Sequence, residues 1–241
     1  MTDVTVVVVA KECLPGKVKT RLTPALTPEG AARVASAALA DTIATVRALP
    51  ASRRVLLYDG VVLPEGTEDF DVLHQVSGGL DERLGAMFDA MTGPTLLVGM
   101  DTPQAAPEHL APVFEDPERD AWFGPADDGG FWSLYLREPD GALLRGVPMS
   151  QDDTGAVQLA RLTEAGLSVG SLPGVLDVDT VADAEQVAAL APGSRFAAAF
   201  RAEVGTAGTA AAGSAGSLTA GPAAAGSAPA HHDTTMTGGA R

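Results

Sequence analysis

The residues of this chain best suited to chemistry are acids that stand just after apolar runs. Asp101 follows Leu96-Leu97-Val98 in the stretch TLLVGMDTP, where the apolar run reads as a strand with no wet face and Gly99 to Pro103 as the loop leaving its carboxyl end. In an open α/β sheet ligands gather at that end, and a carboxylate there suits a divalent metal or a ribose hydroxyl. The same residue could instead cap a helix beginning near Pro107, or close a turn through its own backbone. Asp127 and Asp128 precede Gly129 and Gly130 in PADDGG. Neighbouring carboxylates repel unless a cation or a proton relieves them, so an Asp pair close to Asp101 would call for a metal. Asp-Asp-Gly-Gly is also a good hairpin turn. Asp177 and Asp179 open a last helix in DVDT, where Asp179 is a candidate N-cap with Asp183 in the first turns. Asp177 has no such structural use.

The basic residues complement these acids. All three lysines, Lys11, Lys17 and Lys19, fall within nine residues, with Arg21 just beyond, and every other basic residue is Arg. Such a cluster in a chain of net charge −15 is what a phosphate group requires. The same charge argues against a nucleic-acid or anionic-membrane partner. Gly78-Gly79 permits close backbone approach to a ligand, with Gln75 and Arg83 able to face the same space. Neither a Walker loop nor G-x-G-x-x-G is present. The single cysteine, Cys13, excludes an internal disulfide and fits a reducing compartment. Its lysine neighbours would lower its pKa, but no His nearby marks it as a nucleophile.

The elements that must position these groups follow from periodicity. Val4 to Val9 is a β-branched run expected of a central strand covered on both faces, and it feeds the basic loop Ala10 to Pro24. Thr27-Pro28-Glu29 starts a helix that runs to Leu49, with Thr27 as N-cap and Pro28 at the first helical position. Further strands are expected at Arg54–Tyr58, Asp71–His74, Ala121–Gly124, Phe131–Leu136 and Leu167–Leu172. Helices are expected from Leu80 to Met91, Pro107 to Phe114, Asp153 to Ala165 and Asp179 to Leu190. His74 reads as a strand-end residue. With 46% hydrophobic residues the chain supports a sizeable core. From Ala202 it turns to Ala, Gly, Ser and Thr, so a folded unit is expected over residues 1–201 and a disordered tail over 202–241, with His231 and His232 solvated within it. The apolar run Val4 to Ala10 is too short for a signal peptide, no stretch reaches membrane-spanning length, and a cytoplasmic location is expected.

Four motifs together resemble a known family. AKECLPGKVKTRL, VGMDTP, GPADDGGFW and DVDT are similar to those of small bacterial proteins described as GT-A-type glycosyltransferases of the nucleotide-diphospho-sugar transferase superfamily, some linked to arsenosugar biosynthesis. The likeness spans roughly Val4 to Phe200. It implies a three-layer α/β/α sandwich with a mixed, mostly parallel sheet, whose N-terminal half binds a nucleotide diphosphate. Carried over, the loop with Ala10, Lys11, Lys19 and Arg21 would hold phosphates, joined by Gly78, Gly79 and Arg83. Asp101, Asp177 and Asp179 would bind Mg²⁺ or Mn²⁺, and Asp127 or Asp128 would act near the acceptor. Leu80-Asp81-Glu82-Arg83 departs from the family's L-G-E-R by an Asp in the Gly position.

The expected function is therefore metal-dependent transfer of a sugar from a nucleotide-diphosphate donor to a small-molecule acceptor. The basic loop also resembles that of phospholactate and molybdenum-cofactor guanylyltransferases, so transfer of a nucleotidyl group from a nucleoside triphosphate with release of pyrophosphate is the alternative. Three phosphates call for more cations and a Gly-rich loop, and this loop has three Lys, one Arg and one Gly. A nucleotide-binding protein without turnover is a third reading, disfavoured because carboxylates gathered at several strand ends are costly unless a metal is used.

Overall fold

Alternate valines of the first strand go to opposite faces of a sheet. β1 (Thr5–Lys11) sends Val6 and Val8 into one apolar layer and Val7 into another, which is why a run of β-branched residues with no polar alternation is stable there. The computed structural model describes residues 3–116 and 118–214, and it is an α/β/α sandwich.

The sheet has seven strands in the order β3-β2-β1-β4-β6-β5-β7. These are β2 (Arg53–Asp59), β3 (Asp71–His74), β4 (Thr95–Gly99), β5 (Ala121–Pro125), β6 (Phe131–Leu136) and β7 (Val169–Ser171). Only β6 runs against the others, pairing antiparallel with both β4 and β5. The carboxyl ends of six strands and the start of β6 therefore share one rim. The order reverses between β1 and β4, because the chain leaves β1 toward β2 and β3 and returns to β1's other edge as β4. A crevice at that rim is the geometric consequence.

Helices α1 (Pro28–Ala48) and α3 (Pro107–Glu115) cover one face through Leu39, Ile43, Val46, Leu110 and Val113. On the other face lie α2 (Leu80–Ala90) and α4 (Thr154–Glu164), through Leu84, Met87, Phe88 and Leu162. Thr27 caps α1 as expected, its hydroxyl accepting from Gly30 N at 3.0 Å, with Pro28 at the first helical position. The back of α1 carries Ala31, Val34 and Ala38 onto α5 (Val181–Leu190) and α6 (Arg195–Ser214). Among the described residues no helix is long and apolar enough to cross a membrane.

Two expectations change. The helix expected to be last, α5, is followed by α6, which runs through the boundary drawn at residue 202 to Ser214. Alanine is the strongest helix former, and this segment has partners: Phe196, Ala197 and Phe200 pack on α1 and α5, while Arg33 of α1 makes a two-pronged ion pair with Glu203 at 2.6 and 2.9 Å. Residues 202–214 are thus helix rather than tail, and residues 215–241, His231 and His232 included, lie outside the described residues. The cap of α5 is also displaced by one residue. Thr180, not Asp179, is the N-cap, its hydroxyl accepting from Asp183 N while the Asp183 carboxylate takes the Thr180 N–H at 2.7 Å.

Candidate active site

A cleft of about 670 Å³ opens on the rim at the β1–β4 switch point. β1 delivers Ala10 and Lys11 to it, and the loop after β1 brings Lys19 and Arg21. The chain turns sharply at Lys19, whose backbone is left-handed at φ 46° and ψ 39°. A non-glycine residue is held in that region only where surrounding contacts over-determine it. Those contacts are present. Lys19 Nζ donates to Val178 O at 2.5 Å and lies 3.0 Å from Asp101 Oδ1 and 3.9 Å from Asp179 Oδ1, with its side chain only 7% exposed. Arg21, which is exposed, pairs with Asp179 at 2.6 Å.

Asp101 enters the cleft because β4 ends at Gly99 and Met100 turns inward to pack, its sulfur accepting from Lys11 N. Asp101 does not cap α3, whose N-terminal Ala106 N–H is taken by the His109 ring at 2.9 Å. Thr102 and Asp177 line the same cleft. Thr102 Oγ1 and Asp177 Oδ1 are both buried without a hydrogen-bond partner. The Asp177 carboxyl is pushed up to about 7, first by burial and then by the carboxylates of Asp128 and Asp101. Lys19 opposes that rise without cancelling it.

The Asp127-Asp128 pair divides. Asp128 lines the cleft and Asp127 does not; Asp127 is exposed, with its N–H bonded to Val175 O at 3.0 Å on the outer side of the turn. The hairpin reading of this segment is correct as well, since β5 and β6 are joined here and Asp128 Oδ1 accepts from Gly130 N at 2.8 Å. Gly78 and Gly79 are a second correction. Neither lines the cleft: Gly79 is the N-cap of α2, and Gly78 O accepts from Arg83 Nε at 2.9 Å. Gly78 thus helps to hold the Arg83 side chain, which does line the cleft. Gln75 completes that arm, donating to Ala10 O at 2.9 Å and accepting from Arg83 Nη1 at 3.2 Å.

Sequence reasoning missed the segment Met149–Asp152, which lines one wall of the cleft, and the apolar lining residues Phe131 and Leu84. The polar run Ser150 to Asp153 directly before a helix was the available signal. It also gave no role to Thr102. Cys13 stands apart from the cleft lining, and burial pushes its thiol up despite the nearby lysines. Among the described residues no group of three or more His, Cys, Asp or Glu side chains is arranged to hold a metal ion. Asp179, expected as a metal ligand, is instead satisfied by Arg21 and Lys19.

An α/β/α sandwich with this mixed sheet, opening a cleft at the β1–β4 switch point, is the GT-A-type fold of the nucleotide-diphospho-sugar transferase superfamily. Residues 32–151 match the model of a bacterial family described as an uncharacterized protein conserved in bacteria (DUF2064). It is similar to the crystal structure of a provisionally named nucleotide-diphospho-sugar transferase from Desulfovibrio desulfuricans G20, with a TM-score of 0.76 at 25% identity over 87% of this chain and 98% of that one. A homologue of Mycobacterium tuberculosis Rv0371c from Mycobacterium sp. strain JC1 aligns with a TM-score of 0.50 at 17% identity, over 78% and 97% of the two chains. A 4-diphosphocytidyl-2C-methyl-D-erythritol synthase from Anaerococcus prevotii DSM 20548 also reaches 0.50, at 11% identity over 78% and 95%. The last two share the fold alone. No curated protein matches the chain.

Proposed function

We propose that this protein transfers a sugar from a nucleoside-diphosphate donor to a hydroxyl-bearing small molecule, with a divalent metal as cofactor. The observation that carries the reading is a cleft whose two sides have opposite charge. Lys11, Lys19, Arg21 and Arg83 come from the β1–β3 side, and Asp101, Asp128 and Asp177 from the β4–β6 side. The name of the Desulfovibrio relative supports the same class of donor.

The residues fit a hard divalent cation. Two buried oxygens, Asp177 Oδ1 and Thr102 Oγ1, lack hydrogen-bond partners, and the Asp177 carboxyl is crowded by three others. Leaving such oxygens unpaired costs about 1–3 kcal/mol each. Mg²⁺ and Mn²⁺ take carboxylate and hydroxyl oxygens, and Mg²⁺ characteristically uses one or two carboxylates plus substrate phosphates rather than a complete protein cage. Asp101 and Asp177, with Thr102, would hold it. When bound, the metal neutralises charge building on the departing diphosphate.

The chain's own residues do the rest. Lys11, Arg21 and Arg83 bind the nucleotide and its phosphates, and Gln75 fixes the Arg83 fork. The bond from the anomeric carbon to the β-phosphate oxygen breaks, a bond from that carbon to the acceptor oxygen forms, and nucleoside diphosphate leaves. Asp128, at the tip of a turn facing the acceptor space, takes the acceptor's proton.

A thermal-shift panel tests this with UDP, GDP, their sugars and GTP, each with and without Mn²⁺. A Mn²⁺-dependent rise with one diphosphate or its sugars, lost in Asp101→Asn, is expected. A larger rise with GTP than with any diphosphate would favour nucleotidyl transfer. Full metal-dependent activity in Asp101→Asn would remove that residue from the metal site.

A further inference from the structure

Lys19 belongs to both charge systems of the cleft. It comes from the phosphate-facing loop, yet its ammonium is spent on the acids: Asp101 Oδ1 at 3.0 Å, Val178 O at 2.5 Å and Asp179 Oδ1 at 3.9 Å, on a side chain 7% exposed. Arg21 next to it is different, since its guanidinium is 73% exposed and can turn to a ligand without leaving a buried position.

We infer that the Lys19 ammonium is the resident counter-ion of the acidic cluster and makes metal binding conditional on a diphosphate. This rests on the metal-dependent reading above. The physical argument is competition for one oxygen. A divalent ion on Asp101 and an ammonium on Asp101 Oδ1 would be like charges within a few ångströms in a partly buried site, where repulsion is weakly screened. Metal alone would have to displace Lys19 from Asp101, leaving its ammonium only Asp179, which Arg21 already holds at 2.6 Å. A diphosphate supplies another anion. Metal and diphosphate together allow Lys19 to exchange Asp101 for a phosphate oxygen, so that each charge remains paired. The left-handed backbone at Lys19, φ 46°, fits a residue held by these contacts rather than by its own preference.

The test is calorimetric titration of MnCl₂ into the intact protein, alone and with UDP or GDP, for wild type and for Lys19→Asn, Lys19→Met and Lys19→Arg. Asn tolerates the left-handed backbone, which guards against loss of folding, and thermal melts check each variant. Wild type is expected to bind Mn²⁺ alone at least tenfold more weakly than with the matching diphosphate. Lys19→Asn and Lys19→Met are expected to bind Mn²⁺ alone at least tenfold more tightly than wild type, while Lys19→Arg, which keeps the charge, stays near wild type. Equal Mn²⁺ affinity in wild type and both neutral variants overturns this inference and leaves the metal-dependent reading intact. No Mn²⁺ binding by any of the four proteins, with or without nucleotide, overturns both. If neither neutral variant folds, wild-type affinity for Mn²⁺ that is the same with and without every nucleotide tested is enough to overturn the inference.

Discussion

Gly129 of the β5–β6 turn and Asp152 of the loop before α4 meet through their backbones. A methyl group added to Gly129 would fall well inside van der Waals contact distance of the Asp152 carbonyl oxygen, and Gly129 has φ +87°. Gly155 N then donates to Gly129 O at 2.7 Å. The turn carrying Asp128 is thereby seated on the N-terminus of α4, so the positions of Asp128 and of the Met149–Asp152 wall are set together.

Gly129→Ala should therefore damage both stability and the cleft. A forbidden close contact plus a left-handed backbone is expected to cost roughly 2–4 kcal/mol, read as a lower urea midpoint with an unchanged slope. A loss below about 0.5 kcal/mol would mean that the turn and the loop move apart freely.

Asp177 gives a pH dependence with a definite sign. In the unfolded chain its carboxyl titrates near 4, and in the folded, metal-free protein at about 7. The folded state binds more protons between those values, so this contribution to stability is fully present below about pH 4 and lost as the pH rises through about 7. In EDTA, Asp177→Asn should melt higher than wild type at pH 8, by an amount corresponding to about 2–4 kcal/mol, and show no such gain at pH 4. Thermal melts across pH 4–8 check it, and a difference independent of pH would show that the carboxyl is not titrating there.

Arg83→Lys keeps the charge but loses the fork that bonds Gly78 O and Gln75 Oε1. Nucleoside-diphosphate affinity should fall about tenfold by calorimetry, and by a similar factor in Gln75→Ala. Mn²⁺ affinity without nucleotide should not change in either. Unaltered nucleotide affinity in both variants would remove this arm from the donor site.

The C-terminal helix is expected to stabilise the domain. A chain ended after Arg201 loses Glu203 and its bonds to Arg33, and should melt below one ended after Ser214; Glu203→Ala should account for part of the difference. Identical melting of the two truncated chains would show that residues 202–214 are dispensable to the fold.

The sequence by itself determined the elements and the rim. A β-branched run can only be a strand buried on both faces, Thr27-Pro28 can only begin a helix well, and an acid after an apolar run must leave the strand's carboxyl end. These are local properties of backbone preference and side-chain period, and β1, α1, β4 and the position of Asp101 follow from them. Adjacent residues with the same chemistry were beyond such reasoning. Asp127 and Asp128 part company because a turn sends successive side chains in different directions, and only Asp128 reaches the cleft. Composition could not tell an Ala-rich helix from a tail either, since what holds α6 is apolar packing on α1 and α5 together with Arg33, 170 residues away from Glu203. Tertiary structure likewise decided that Lys19 neutralises Asp101, that Asp179 is already paired, and that Thr102 Oγ1 and Asp177 Oδ1 are buried without hydrogen-bond partners. Burial and Coulomb interactions act through space between distant parts of the chain, and no local pattern in the sequence encodes which charges will share a cleft.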